Sequence, residues 1–498
     1  MLDWCLRNAA RCAAARSFEE AALWAHVGAG TAVAYGHRYL CVPQLEALLL
    51  HLAATLAVPA ARATSGTRPR RWLHVFSITM GIGGHTALAR RWIARNPQGD
   101  RHDVVLTMQA RDDVAPALAE AVHRTGGEVT SLAHVGALTE RAAALREQAW
   151  RDADVVVLHA HMWDVIPALA FGVAGGPPVL LVDHADHAFW VGCAVADVVV
   201  DIRDSGLALS TSLRGARASA VLPVPLEDGG VPRPDRAGVA AKLRGMRVLD
   251  RGLVLLTIGS SSKYRAHARL DFVAAAERIV DEVDDSILIA IGPDPRDERW
   301  RAAAARTRGR MVAVGERADL PLWHAACDLY LESFPVGSYT ALLEVGLAGR
   351  AFVRKPWLAP PHALPIDQGA LAPFAPAPDP RTYVTQALAL ARDADARARC
   401  AEVARQSVAA VHCGAGWDAQ LGALERAIEP RHTIGLRFAP QPMPAALLDY
   451  VGGLHAGHEP DAPWQAAHEA AAGFGLEPRP DGALHVALQA EGTRAPQA

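Results

Sequence analysis

The strongest candidate for ligand chemistry is the segment Cys327–Gly349. An apolar run leads into a Phe-Pro-Val-Gly turn, and Ser338, Tyr339 and Thr340 then open an amphipathic stretch. At such a strand-to-helix junction, the unpaired N–H groups of the first helical turn and the positive end of the helix dipole form an anion site. Glu344 lies one turn beyond Thr340, where a carboxylate can accept hydrogen bonds from a ribose. The segment therefore predicts a nucleotide site.

These residues also have a plainer interpretation. Ser and Thr at a helix start are most often simple N-caps, and a single Glu in mid-helix is most often solvated. Gly337 belongs to the candidate site because it ends the turn that precedes the helix. The nucleotide prediction therefore depends on what the rest of the chain offers.

One of the few lysines supplies part of that context. Only three of the 50 basic residues are lysines: Lys242, Lys263 and Lys355. Because arginine predominates so strongly among the basic residues, a lysine can mark a position that needs a compact ammonium group, although chance explains its presence equally well. Lys263 follows three serines at the end of an apolar run. Ser262 and Lys263 are therefore expected to donate to a diphosphate leaving group.

A glycine-rich turn follows the first apolar run of the N-terminal half. Residues Met80 to Thr86 read Met-Gly-Ile-Gly-Gly-His-Thr. Gly83 and Gly84 allow a ligand to approach the backbone at a helix start, and we count them with the donor-binding residues. His85 adds a titratable side chain. The spacing is not the GxGxxG of dinucleotide-binding proteins, and such a turn is commonly only a tight connection.

Histidines and aspartates concentrate in two later segments. His159 and His161 close one apolar run, and Asp-His-Ala-Asp-His, residues 183–187, closes the next. At the carboxyl ends of parallel strands, such a cluster indicates acid–base chemistry or a metal. The structural alternative is that the aspartates cap the following helix while the histidines bond to backbone groups. The candidate catalytic bases are His85, His184 and His187.

Composition excludes some classes of protein. The net charge of -3 and the pI near 6.7 leave no basic footprint for nucleic acid. Seven scattered cysteines without CxxC spacing suggest neither a disulfide framework nor a thiolate zinc site, which fits the cytoplasm. Charges interrupt the N-terminal segment, and His51 and Pro59 interrupt the longest apolar run. We therefore expect no signal peptide and no membrane span.

The helices and strands that position these residues are predicted from the spacing of apolar residues along the sequence. Residues 1–65 read as an N-terminal helical module, with helices Leu2–Ala15, Phe18–Ala34 and Leu45–Leu56. Such a module could contact a protein partner. Residues 70–230 then alternate short apolar runs with segments of helical length. The predicted strands are Trp72–Thr79, Asp103–Met108, Val129–Val135, Asp154–His159, Pro178–His184 and Asp197–Ile202. Repeated βα units predict a parallel, doubly wound sheet.

The pattern is repeated in residues 245–430, after the linker Leu222–Asp235. The predicted strands are Gly252–Gly259, Ser286–Gly292, Met311–Gly315, Asp328–Glu332 and Ala351–Arg354. The predicted helical segments are Ala266–Val280, Arg296–Thr307, Leu320–Ala326, Ser338–Leu347 and Pro380–Val411. The fold class is therefore α/β, with two tandem Rossmann-like domains. Residues 431–498 form a C-terminal extension with one candidate helix, Pro463–Ala472.

Over roughly residues 70–430 the chain resembles the GT-B glycosyltransferases, whose C-terminal domain holds a nucleotide-sugar and whose N-terminal domain holds the acceptor. The segment FPVGSYTALLEVGLAG is similar to the donor segment of the bacterial adhesin glucosyltransferases and the O-GlcNAc transferase group. The resemblance implies that Ser338, Tyr339 and Thr340 contact the diphosphate and that Glu344 contacts the ribose. It also implies that Lys263 contacts the leaving phosphate, and it places His85 near the acceptor-side histidine.

A second group, the large retaining glycosyltransferases, is also similar in its glycine-rich first turn and late histidine. That group carries two glutamates spaced more closely than Glu332 and Glu344, which are twelve positions apart. The stereochemical outcome therefore stays open. An inverting transfer needs one base and fixed cations, and no DxD-type motif stands out, so we expect metal-independent catalysis without a cofactor.

The expected function is transfer of a hexosyl or N-acetylhexosaminyl group from a nucleoside-diphosphate sugar to an acceptor hydroxyl or amide. The acceptor can be a protein, a glycan or a small molecule. The alternatives are a sugar-nucleotide epimerase or phosphorylase on the same fold, or a non-catalytic binding protein that works through its N-terminal helices.

Overall fold

The computed structural model describes two compact units of the chain. The described residues are 2–60, 69–81, 83–95, 99–233, 235–243, 252–267, 269–357, 366–428, 433–445 and 447–448, with the backbone of 476–478 and 484–486. The first unit comprises Met1–Leu222 and Gln420–Ala498, and the second comprises Pro223–Ala419. Each unit contains its own parallel sheet and buried core. The candidate helix Pro463–Ala472 lies outside the described residues.

Three helices precede the first sheet, close to the predicted limits. They are α1 (Leu2–Ala14), α2 (Phe18–Tyr35) and α3 (Pro43–Ala53). Their apolar side chains belong to the same buried core as the first sheet. No helix in the described part of the chain is both long and apolar enough to cross a membrane.

The first unit is built on a seven-stranded parallel sheet in the order β3-β2-β1-β4-β5-β6-β7. Its strands are β1 (Arg71–Phe76), β2 (Arg101–Leu106), β3 (Val129–Ser131), β4 (Val155–Leu158), β5 (Val179–Asp183), β6 (Val198–Asp201) and β7 (Ser219–Val221). The helices between them are α4 (Gly84–Arg95), α5 (Pro116–Arg124), α6 (Leu138–Asp152), α7 (Ile166–Phe171) and α8 (Asp204–Ser212). The sequence did not predict β7, a short edge strand.

The second unit is built on a five-stranded parallel sheet in the order β10-β9-β8-β11-β12. Its strands are β8 (Leu253–Ile258), β9 (Ser286–Ile291), β10 (Met311–Gly315), β11 (Leu329–Leu331) and β12 (Ala351–Val353). The helices from this point are α9 (Arg236–Lys242), α10 (Phe272–Glu282), α11 (Glu298–Arg306), α12 (Leu320–Ala326), α13 (Tyr339–Leu347), α14 (Pro380–Arg392), α15 (Ala394–His412) and α16 (Gly414–Arg426). Near the C-terminus, β13 (Leu476–Pro478) and β14 (Leu484–Val486) form an antiparallel pair.

Aspartate caps explain two differences from the predicted helices. The helix predicted from Ala266 begins at Phe272, because Asp271 accepts a hydrogen bond from the Ala274 N–H and caps α10. The segment Pro380–Val411 is two helices rather than one. Asp393 has an extended backbone conformation there, and its side chain caps α15. An Asp within a helical pattern can thus start a new helix instead of continuing the old one.

Candidate functional site

The candidate donor site lies at the carboxyl edge of the second sheet, where two neighbouring strands end. After β8, residues Ser261–Tyr264 form one 3-10 turn. After β11, a turn with a cis Phe334–Pro335 peptide bond leads into α13. Because β8 and β11 are adjacent in the sheet, the two turns lie side by side. This is the edge at which parallel sheets bind ligands.

Lys263 joins the two turns. Its Nζ donates a hydrogen bond to the carbonyl oxygen of Gly337 at 3.2 Å. Gly259 packs against both turns, since a Cβ added there would lie 2.8 Å from Ser338 Oγ and 3.3 Å from Lys263 Cδ. The Ser338 hydroxyl is buried and has no hydrogen-bond partner among the described residues. The structure therefore brings together a lysine and an orphaned hydroxyl at the start of α13.

Glu332 and Lys355 complete the surroundings of Gly337. A Cβ added at Gly337 would lie 2.3 Å from Glu332 Oε1 and 2.9 Å from Lys355 Cδ. Glu332 is fixed in place, because its Oε2 accepts a hydrogen bond of 2.8 Å from the Lys355 N–H. The Tyr383 hydroxyl donates to the Glu332 carbonyl oxygen at 3.0 Å. Two of the three lysines in the chain thus lie beside one glycine.

The other predicted donor residues are less closely connected. Tyr339, Thr340 and Glu344 lie on α13 and are half-buried. Glu344 is near His324 of α12, and its charge opposes the effect of burial, which lowers the pKa of His324. Ser262 is exposed, and its hydroxyl lies 3.0 Å from that of Ser260. The sequence identified the turn and helix of this site, whereas the closeness of Lys355 depends on β12 lying beside β11.

A second group of polar residues lies at the carboxyl edge of the first sheet. The rings of His85 and His184 stack with their centroids 4.2 Å apart. The ring of His161 meets that of His85 edge-on at 5.5 Å. The described part of the chain offers no hydrogen-bond partner to His85 Nε2, His161 Nδ1 or His184 Nδ1, and all three atoms are buried. The structure thus brings two of the three predicted bases together and adds His161.

Burial keeps these imidazoles neutral. Desolvation, with repulsion from the neighbouring histidines, holds the pKa of His85 well below its usual range. Desolvation lowers the pKa of His161 to about 4. Desolvation and the nearby His161 lower the pKa of His184 to about 3. The backbone of His159 forms a hydrogen bond that favours the protonated ring of His85 and opposes the effect of burial. A neutral His85 whose Nε2 has no partner among the described residues can accept a hydrogen bond from a hydroxyl group.

His187 and the aspartates of the same segment have other contacts. His187 Nδ1 lies 3.4 Å from Asp186 Oδ1. Asp186 also accepts two hydrogen bonds of 2.7 Å from the guanidinium of Arg203. Asp183 forms a buried ion pair of 3.1 Å with Arg214. Both aspartates therefore form ion pairs beyond the local capping that the sequence offered as the structural alternative.

A buried chain of three imidazoles, which the sequence analysis missed, crosses the first sheet. His74 Nε2 lies 2.9 Å from His102 Nδ1, and His74 Nδ1 lies 3.0 Å from His159 Nε2. Each neutral ring has one donor and one acceptor nitrogen, so the tautomer of one ring fixes those of the others. A histidine inside an apolar strand was the available signal, since buried parallel strands are otherwise almost purely apolar.

The glycine-rich turn has an open conformation. Gly83 has φ +137°, a conformation that favours glycine, and a Cβ added there would meet no atom of the described residues within 4 Å. Gly84 is the first residue of α4, and both glycines are exposed. Their predicted contact with a donor remains a prediction. Among the described residues, no group of three or more His, Cys, Asp or Glu side chains is arranged to hold a metal ion.

Comparison with known proteins identifies the fold. No protein family and no curated protein matches the sequence. Among solved structures, HepE of Anabaena in complex with UDP and glucose is similar at a TM-score of 0.53 and 15% identity, covering 72% of this chain and all of HepE. A mutant O-GlcNAc transferase of Thermobaculum terrenum has a TM-score of 0.53 and 16% identity, with 82% of this chain and 76% of that chain covered.

A third structure extends the similarity. A TarM mutant of S. aureus, solved with fondaparinux, α-GlcNAc-glycerol and UDP, has a TM-score of 0.53 at 7% identity and covers 72% of this chain and all of TarM. HepE has also been solved with UDP-glucose. At these identities the likeness establishes the fold. The predicted fold class, two Rossmann-like domains of the GT-B type, is confirmed.

Proposed function

We propose that the protein is a glycosyltransferase that moves a hexosyl or N-acetylhexosaminyl group from a nucleoside-diphosphate sugar to an acceptor. The observation that carries this proposal is the meeting of Lys263, Gly337 and the orphaned Ser338 hydroxyl at the start of α13. A cation and unpaired donors at a helix N-terminus suit a diphosphate. HepE, which has the same fold, was solved with UDP-glucose, and this supports a sugar donor.

Each donor residue has a proposed role in this reaction. Lys263 and Ser338 bind the diphosphate, and the N–H groups of Tyr339 and Thr340 contribute the positive end of α13. Glu344, one turn along the helix, accepts hydrogen bonds from the ribose hydroxyls. As the bond between the anomeric carbon and the phosphate oxygen breaks, the diphosphate takes the electron pair. Lys263 then stabilises the charge that develops on it.

His85 is the proposed base for an inverting transfer. Its Nε2 takes the proton from the acceptor hydroxyl, whose oxygen forms the new bond to the anomeric carbon as the diphosphate departs. Support comes from the buried Nε2 of His85, which has no hydrogen-bond partner in the described part of the chain and can therefore accept a proton. His184, stacked on this ring, holds its orientation. His187, bound to Asp186, stays a further candidate base.

Two further parts of the proposal concern metal dependence and cellular location. Lys263, with Lys355 nearby, supplies positive charge of the kind that a divalent metal supplies elsewhere, so we propose metal-independent transfer. We place the enzyme in the cytoplasm, because the seven scattered cysteines, which lack CxxC spacing, suggest no disulfide framework.

The test compares two lysine variants of the full chain. Lys263→Met should weaken nucleoside-diphosphate binding, measured by calorimetry with UDP, GDP and ADP, by on the order of 100-fold, as expected for a charged hydrogen bond of about 3 kcal/mol. Lys242→Met is the matched control, because Lys242 pairs with Asp319 and has no role in the proposed site. Wild-type protein that binds no nucleoside diphosphate would refute the proposal and favour a non-catalytic binding protein. Free sugar released without an acceptor would favour the epimerase or phosphorylase alternative.

A further inference from the structure

The histidine group at the first sheet has unfilled hydrogen-bonding capacity. His85 Nε2, His161 Nδ1 and His184 Nδ1 are buried and have no partner in the part of the chain that the structure describes. The ring of His85 contacts those of both His161 and His184. Buried polar atoms are almost always hydrogen-bonded in native proteins, so several unsatisfied nitrogens in one place can bind water or a ligand with several polar groups.

The charge state of the three histidines limits the kind of ligand that they can bind. The three imidazoles are neutral near pH 7, because burial depresses the pKa of each. A neutral imidazole offers one donor and one acceptor, which matches a hydroxyl group that both donates and accepts. A cationic or anionic ligand would instead be matched by a side chain of opposite charge.

The carboxylates of the same edge are already engaged. Asp183 pairs with Arg214, and Asp186 pairs with Arg203. Asp164 accepts hydrogen bonds from the Ser77 and Thr107 hydroxyls, and desolvation raises its pKa. These three aspartates are therefore committed to partners within the protein.

Apolar surface accompanies the histidines. The half-buried Trp163 ring lies 5.4 Å from the His161 ring, and Met80, at the entrance to the glycine-rich turn, is 45% exposed. A sugar ring presents hydroxyls at its rim and C–H groups on its faces. The rim can satisfy the imidazole nitrogens while the faces pack on the indole and thioether.

We propose that these histidines, with Trp163, bind the acceptor and that the acceptor is an uncharged carbohydrate. His161 and His184 orient it by hydrogen bonds to its hydroxyls, and His85 faces the hydroxyl that receives the sugar. The inference rests on the proposed transferase function and goes beyond it by naming the acceptor class. Among the described residues of this edge, Asp183 and Asp186 are paired with arginines, which disfavours a peptide acceptor with charged side chains.

Acceptor choice can be measured with the full-length enzyme and UDP-glucose or UDP-GlcNAc as the donor. The probes are p-nitrophenyl glucoside and galactoside, p-nitrophenyl glucuronide as the anionic counterpart, and a serine-containing peptide. We expect transfer to the neutral glycosides, with kcat/KM at least about tenfold above that for the glucuronide, the value of one net hydrogen bond or more. Preference for the glucuronide or the peptide, or no transfer to any neutral glycoside while donor hydrolysis persists, would overturn the proposal.

Two variants test whether the histidine group binds the acceptor. His161→Glu places a negative charge among the neutral rings and should raise KM for the neutral glycoside by on the order of tenfold or more, with nucleotide affinity unchanged. His134→Glu introduces the same charge at an exposed position and should leave both values unchanged. Equal KM values for the two variants would contradict the proposal. So would micromolar Zn²⁺ binding that His161→Glu abolishes, because the nitrogens would then form a metal site. If the wild-type protein binds no nucleotide in the calorimetry, the proposed donor site is refuted instead. That measurement does not depend on the acceptor assay.

Discussion

The imidazole chain His102–His74–His159 should make the first unit sensitive to acid. Desolvation lowers the pKa of His159 to about 3 and that of His102 to about 4, and it holds the pKa of His74 well below its usual range. In the unfolded chain each ring titrates near pH 6.5. Below that pH the unfolded state binds more protons than the folded state, so the free energy of unfolding falls as the pH falls.

The size of the effect follows from this difference in pKa. Between pH 7.0 and 5.5, each such histidine removes about 1.3 kcal/mol from the free energy of unfolding. Buried carboxylates act in the opposite direction, because desolvation raises the pKa of Glu46 to about 7 and that of Asp201 to about 9. The change for the whole protein therefore mixes both kinds of group. A single substitution isolates one histidine, because the other groups contribute equally to variant and wild type.

We therefore expect His74→Leu to reduce the loss of stability between pH 7.0 and 5.5 by about 1.3 kcal/mol, whatever its effect at pH 7.0. Removing His74 leaves His102 and His159 buried, so both keep pKa values below the range tested. The measurement is urea unfolding at the two pH values, followed by tryptophan fluorescence. His123→Leu, at an exposed position on α5, is the control and should leave the pH dependence unchanged. An identical pH dependence in His74→Leu and wild type would refute the assignment of a neutral, buried chain.

Three further substitutions test the packing and the site. Gly337→Ala should cost about 1–3 kcal/mol of stability in thermal or urea unfolding, because its Cβ would meet Glu332 Oε1. Gly229→Ala should leave stability unchanged, because its Cβ would meet no atom of the described residues within 4 Å. Ser338→Ala should leave stability nearly unchanged, because its hydroxyl has no hydrogen-bond partner in the described part of the chain, but should weaken UDP binding in calorimetry by up to about tenfold. Arg146→Met should lower the free energy of unfolding by at least about 3 kcal/mol by leaving buried carbonyls unsatisfied. Arg151→Met, an exposed change on the same helix, should shift it by less than about 0.5 kcal/mol.

Arg146 shows one kind of contact that sequence reasoning could not reach. Its buried guanidinium donates to five carbonyl oxygens near the ends of α3 and α7, those of Ala53, Leu56, Ala57, Leu169 and Ala170. On the sequence it is simply one arginine in an amphipathic helix. Its role depends on where two helix C-termini leave carbonyl groups unpaired, and only the packing of α6 against them determines that.

The amino-acid sequence by itself determined most of the helices and parallel strands and the segment that opens α13, because periodicity, turn residues and strand-end chemistry are local properties. It also indicated Lys263 and His85 as candidate site residues, since parallel sheets bind ligands at their carboxyl edges. Only the tertiary structure decided which of these residues meet. The strand order placed Lys355 beside Gly337 and aligned His74 with His102 and His159, because pairing between strands is set by packing across the whole sheet rather than by neighbours in the chain.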